Sequence, residues 1–200
     1  DGYGLCRTLV DRAWKEGVDT IVTCDNGIAA AEEIEYGMSL GMTIIVTDHH
    51  EVPMDENEDE CLPPANAVID PKQKGCEYPF KELCGAAVAY KLMEALYEVI
   101  GADAEDLDYL IENVAIATIG DVMPLVGENR IFVKQGLDML RRTSNYGMKA
   151  LMHCCDIPQE KVDSYHIGFV LGPCMNATGR LDTAKKSIEL LCARTWQEAV

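Results

Sequence analysis

The sequence predicts an α/β fold, with a parallel sheet and flanking helices in the first half and a mostly helical second half. Two observations carry this reading. Short β-branched runs recur between helical segments of about a dozen residues, the rhythm of strand–helix–strand crossovers. Beyond a loop marked by Pro63, Pro64 and Pro71, apolar residues recur at helical spacing instead.

Leu5 to Glu16 places Leu5, Leu9, Val10, Ala13 and Trp14 at helical spacing and stops at Gly17. Thr20 to Cys24 is a β-branched run and reads as the first strand. Ala29 to Leu40 is the next helix, with Ile34 and Met38 facing inward and Gly41 ending it. Thr43 to Thr47 is the second strand and Ala67 to Ile69 the third. Helical patterning then covers Cys84 to Ile100, Leu107 to about Ile119, Arg130 to Arg142 and Asp182 to Leu191. The expected division is therefore an α/β part over residues 1–80 and a helical remainder over 81–200.

Composition narrows the function. The chain has 200 residues, 48% of them hydrophobic, which is enough for a real core. The longest uncharged stretch, Ser164 to Gly179, is broken by glycines, Pro173 and polar residues, so no transmembrane span is expected. Nor does the start read as a signal peptide. Nine cysteines, odd in number, scattered and without a Cys-x-x-Cys pair, read as reduced thiols of a cytoplasmic protein. Cys154-Cys155 is read as core packing or as a redox-active pair. A net charge of −17 points away from simple phosphate-backbone binding and suits divalent cations. The acidic run Asp55 to Glu60 is a solvated loop or a cation site.

Two strands end alike, the first at Asp25-Asn26-Gly27 and the second at Asp48-His49-His50. Parallel neighbours deliver their carboxyl ends to one edge of the sheet, where such folds bind ligands. If these strands pair, the Asp25 carboxylate and the imidazoles of His49 and His50 converge. That donor set suits Mn²⁺, Zn²⁺ or Fe²⁺, with manganese favoured as oxygen ligands accumulate. The competing reading makes Asp25 a turn residue and the histidines loop residues. Asp121, after an apolar segment and Gly120, is a further carboxylate candidate or simply a helix terminator before Pro124. The segment GPCMNATGRL, with Asn176 and Arg180, suits a phosphate through exposed backbone N–H groups, amide and guanidinium. Its alternative is a glycine-rich turn with Arg180 in a structural ion pair.

Seven segments in order, DGYGL, VDTIVTCDNGI, VTDHHEVP, NAVIDPKQ, CGAAVAYKL, ATIGDVMPLVGENR and GPCMNATGRL, resemble the DHH phosphoesterase superfamily, named for the triplet Asp48-His49-His50. Within it they resemble the RecJ-type, single-strand-specific exonucleases. The resemblance implies that Asp25 bridges two Mn²⁺ ions, with Mg²⁺ as the alternative metal. It makes His49 and Asp121 metal ligands and sets His50 at the scissile phosphate. Asp48 would ligate metal or orient its neighbours, and Asn176 and Arg180 would contact substrate phosphate. The implied activity is two-metal hydrolysis of single-stranded DNA from its 5′ end, releasing mononucleotides in DNA repair and recombination. Single-strand-binding protein or a helicase would be the partners.

The family's first motif, Asp-x-Asp-x-Asp-Gly, is missing before GYGL, and the chain lacks an initiator methionine. We therefore expect a segment of a longer protein, without the first strand or the downstream DNA-gripping domains, inactive and weak in metal binding by itself. The rival expectations are a superfamily relative acting on small phosphates (oligoribonucleotides or cyclic dinucleotides), a non-catalytic homologue that binds nucleic acid or a partner, and a metal-free interaction domain.

Overall fold

A computed structural model describes residues 4–181 and 185–200, with the side chains of 177–181 excepted. The chain divides into two units, Asp1–Ala104 and Glu105–Val200.

The first unit is built on a three-stranded parallel sheet, order β1-β2-β3, formed by β1 (Thr20–Val22), β2 (Thr43–Thr47) and β3 (Ala67–Ile69). Val22 stands opposite Ile45, and Ile45 opposite Ala67, so β1 and β2 are neighbours and their carboxyl ends share an edge. Helices α1 (Arg7–Lys15) and α2 (Ala31–Ser39) cover the sheet with a core of Val10, Ile34, Met42, Ile44 and Val46. Gly37 lets α2 approach β2: a Cβ there would stand 2.6 Å from Ile44 Cδ1. The α2 crossover is the expected one.

The β2-to-β3 crossover contains no helix, and its acidic run folds on itself. The Asp55 carboxylate accepts the N–H groups of Asn57 and Asp59, and Met54 bridges Glu60. Helix α3 (Gly85–Ile100), grouped by composition with the second half, lies in the first unit, packs on β2 and buries Ala87, Val88 and Tyr90.

The second unit is helical. A 3₁₀ turn (Ala104–Leu110) leads into α4 (Ile111–Gly120), where sequence patterning had started the helix at Leu107. Then come α5 (Gly127–Leu140), α6 (Tyr146–Cys154) and the short α7 (Ser164–His166). A π-helical stretch (Ile167–Leu171) joins α7 to α8 (Gly172–Leu181), and α9 (Lys185–Leu191) and α10 (Trp196–Ala199) finish the chain. Leu140, Met148, Met152, Ile157, Val162, Ile167 and Leu171 form the core. Helices α4 and α5 cross closely at Gly136, where a Cβ would meet the Ile111 carbonyl oxygen at 2.7 Å. Among the described residues no helix is long and apolar enough to cross a membrane.

The segment GPCMNATGRL is not the glycine-rich turn weighed above. It is helix α8, entered directly from the π-helical stretch. A helix interior spends its N–H groups on its own carbonyls, so the argument from exposed backbone donors fails there.

Candidate metal centre

The matched strand ends are held together beyond the strands themselves. Thr23 donates to the Ile45 carbonyl at 2.9 Å, Asp25 to the Thr47 carbonyl at 3.1 Å and Asp48 to the Ile69 carbonyl at 3.1 Å. The Thr47 hydroxyl donates to the Thr23 carbonyl at 2.6 Å, while Thr23 Oγ1 accepts the Thr47 N–H at 3.2 Å. After this ladder the chain must turn sharply. Asp25 takes a left-handed conformation, φ 63°, and Gly27 follows at φ 118°, where a Cβ would press on Val46 Cγ1 at 3.0 Å. A non-glycine residue in that region is strained, and such strain persists only where its surroundings enforce it.

Asp48 explains how two consecutive histidines reach different places. It is 1% exposed. Its Oδ2 accepts the Ile28 N–H at 2.9 Å; its Oδ1 accepts the His49 N–H at 2.8 Å and the His50 N–H at 3.3 Å. His50 Nδ1 lies 2.7 Å from the same Oδ1. Burial alone would raise this carboxyl, but the backbone N–H groups and His50 outweigh it and hold the carboxyl below its ordinary range. Both oxygens point inward and are used, which is the geometry of an anchor.

His49 is buried and directs Nε2 to Asp25 Oδ1 at 3.0 Å, whereas His50 is mostly exposed. Their rings are tilted, with centroids 4.6 Å apart. Asp25, His49 and His50 can each offer one donor atom, all within 4.8 Å of one another. An octahedral divalent ion with donors at about 2.1 Å sets adjacent ligands about 3.0 Å apart. The Asp25–His49 spacing is that edge length, so these two residues fit a Mn²⁺- or Mg²⁺-sized ion. With Nδ1 committed to Asp48, His50 keeps Nε2 for the space in front of the site.

Two features of the surroundings were missed at the level of sequence. Helix α3 begins at Asp25: a Cβ on Gly85 would stand 2.5 Å from Asp25 Cα. Only glycine allows the approach, and the N-terminal end of a sixteen-residue helix then faces the carboxylate. The Cys24 thiol points at the Gly85 carbonyl, 3.9 Å away, and burial, then the Asp25, Cys84 and Asp48 sites, push its pKa up. It therefore acts as a protonated donor between strand and helix.

The other missed residue is Asp70, which ends β3 as Asp25 and Asp48 follow β1 and β2. It is 2% exposed, its Oδ1 accepts the Lys72 N–H, and burial raises its pKa, with the Asp48 charge adding to the effect. The repeated strand-then-aspartate pattern was the available signal.

The remaining candidates lie in the second unit. Asp121 is the C-cap of α4, donating its N–H to the Ala117 carbonyl, with Val122 left-handed beside it at φ 57°. Asn176 is an exposed residue of α8. Arg180 falls within α8, and its side chain lies outside the described residues.

The chain resembles known proteins along its whole length. The chain is 39% identical over 199 residues to the single-stranded-DNA-specific exonuclease RecJ of Bacillus subtilis; the match covers all of this chain and 24% of that protein. The chain thus spans about a quarter of that relative's length. A crystal structure of the exonuclease RecJ bound to manganese superposes with a TM-score of 0.83 at 31% identity, covering 100% of this chain and 48% of the other. The crystal structure of Thermus thermophilus RecJ in complex with Mn²⁺ gives 0.79 at 30% identity, covering 95% and 28%. The model of the DHH family's N-terminal domain matches residues 4–119, more than half of the chain and the whole of the sheet with its three aspartate-ended strands. On that match, the chain belongs to the DHH family.

Proposed function

We propose that this chain is part of a Mn²⁺-dependent exonuclease that hydrolyses single-stranded DNA from its 5′ end and releases mononucleotides in DNA repair and recombination. The observation that carries the reading is the 3.0 Å Asp25–His49 pair at the ends of adjacent parallel strands, in a chain whose relatives include RecJ exonucleases. The structures of RecJ with manganese support that metal, and the one with Mg²⁺ makes magnesium the alternative.

Asp25 and His49 would hold the metal, with Asp121 as a further ligand. When bound, the metal supplies Lewis acidity toward the phosphate and lowers the pKa of water. The chain's own residues do the rest. Asp48 accepts the His50 Nδ1–H and fixes the direction of the ring, so that Nε2 would face a non-bridging oxygen or the leaving oxygen of the scissile phosphate. The imidazolium, stabilised by the Asp48 carboxylate, would carry the Nε2 proton given to it. Asn176 and Arg180 would grip phosphate further along the strand. In this proposal both units belong to one catalytic domain, the first giving residues 1–80 as its α/β part. The helical remainder would run on into a connecting helix. Single-strand-binding protein or a helicase would deliver substrate in the cytoplasm.

The test is release of mononucleotides from 5′-phosphorylated single-stranded DNA by the whole protein, with duplex DNA and a cyclic dinucleotide as competitors. We expect Mn²⁺-dependent loss of the single strand, reduced about 100-fold or more in His49→Ala. Hydrolysis of the cyclic dinucleotide with the DNA left intact would overturn the substrate and keep the metal centre.

A further inference from the structure

The second unit holds a pair of thiols that the proposed chemistry does not use. Cys155 caps the C-terminal end of α6, and Cys174 lies in the first turn of α8. Their sulfurs are 3.9 Å apart, close enough to share a hydrogen bond. This proximity is built into the packing. Met152 on α6, Ile157 just after it, and Ile167 and Leu171 before α8 belong to one buried cluster, and Cys155 packs against it. The Cys155 N–H is tied to the carbonyls of Leu151 and Met152, so its Cα cannot drift. Cys174 is exposed and open to a solution oxidant, whereas Cys155 is half-buried behind it.

We propose that Cys155 and Cys174 are a modification site, forming an intramolecular disulfide when the protein meets a peroxide. A disulfide sets its sulfurs about 2.05 Å apart, so the pair must close by about 2 Å, within the range of side-chain rotation. In the first step the exposed Cys174 sulfur attacks the peroxide O–O bond. One oxygen stays as the sulfenic acid and the other leaves as water. In the second step the Cys155 sulfur attacks the sulfenic sulfur. The S–S bond forms, the S–O bond breaks, and the hydroxyl departs as water with the Cys155 proton. Two thiols thus lose two electrons, and one peroxide becomes two waters.

The division of labour follows from the surroundings. Burial, then the hydrogen bond shared with Cys174, then the neighbouring sulfurs and Asp156 push the Cys155 thiol up. It therefore stays protonated and waits, as a resolving thiol does. The cross-link would fasten the first turn of α8, two residues before Asn176, to the end of α6.

The experiment treats the whole protein, free of metal, with limiting hydrogen peroxide and maps its cysteines by intact and peptide mass spectrometry. The expected first product has lost two hydrogens, carries the Cys155–Cys174 linkage, and returns to the starting mass with dithiothreitol. Cys154→Ser keeps that linkage, which excludes the adjacent exposed thiol, and Cys174→Ser abolishes it. A Cys154–Cys174 linkage, an intermolecular dimer, or sulfinic acid on Cys174 with Cys155 still reduced would overturn the proposal. The outcome does not depend on the nuclease reading, because the readout is the bond itself.

Discussion

Asp48 and Glu112 are both buried carboxylates, and they shift in opposite directions because their partners differ. Asp48 receives three backbone N–H groups and faces His50, so its folded pKa is depressed. Its contribution is present above the unfolded value of about 3.9 and is lost as pH falls through the folded one. Among the described residues Glu112 receives the Thr143 hydroxyl alone, which donates to Oε1 at 3.0 Å, and burial raises its pKa despite that bond. The sign is then reversed: the folded state binds the proton more tightly, so stability is greatest below the unfolded pKa and is lost as pH rises through the folded one. Glu112→Gln keeps an acceptor for Thr143 and removes the buried charge. Urea unfolding should show it more stable than the wild type by about 1 kcal/mol at pH 7. The gain should fade as pH falls through the unfolded value of about 4.3, below which the wild-type carboxyl becomes neutral in both states. At this scale the meeting of Asp25 and His49 was readable from sequence, because an aspartate followed each of two strand-like runs. Asp70 was not, although it follows the same rule, because an aspartate before Pro71 reads equally as a turn residue, and its Oδ1 does accept the Lys72 N–H. The inward role of Asp48 depends on three donors from two loops, and no local spacing encodes that.

The elements were legible where hydrophobic period and terminating glycines agreed, as in α2 and α3, and where short β-branched runs stood between helices, as in the three strands. They were not legible where glycine served close packing. Gly147 sits within α6, which sequence patterning omitted; a Cβ there would lie 2.6 Å from the Leu190 carbonyl carbon. The same residue type that ends a helix in one place admits a neighbouring backbone in another. Gly85 is the functional case. At the start of α3 it could pass for a weak helix former, yet its missing Cβ brings the helix end onto Asp25. Alanine normally favours a helix over glycine by about 1 kcal/mol, whereas forcing atoms into a filled space costs about 1–3 kcal/mol. The clash should win, and Asp25, already strained at φ 63°, is what moves. We expect Gly85→Ala to retain the wild-type far-ultraviolet circular dichroism while losing about tenfold in Mn²⁺-dependent nuclease activity. Unchanged activity would mean that the helix end does not position the carboxylate.

Over these 200 residues the net charge of −17 limits how the proposed substrate could be held. With twice as many acidic as basic residues the sequence offers little general attraction for a phosphate backbone, so the proposed function needs a local attraction that depends on a bound cation. The parallel order β1-β2-β3 brings Asp25, Asp48 and Asp70 to one edge of the sheet. The central claim is therefore that Asp25 and His49 together bind a divalent metal at the ends of β1 and β2. The most direct test is titration of Mn²⁺ into the whole protein, followed by loss of the free-ion electron paramagnetic resonance signal. Wild type should remove Mn²⁺ from solution, and Asp25→Asn and His49→Ala should each weaken that uptake about 100-fold with the fold intact. Variants that take up Mn²⁺ as tightly as the wild type would contradict the account.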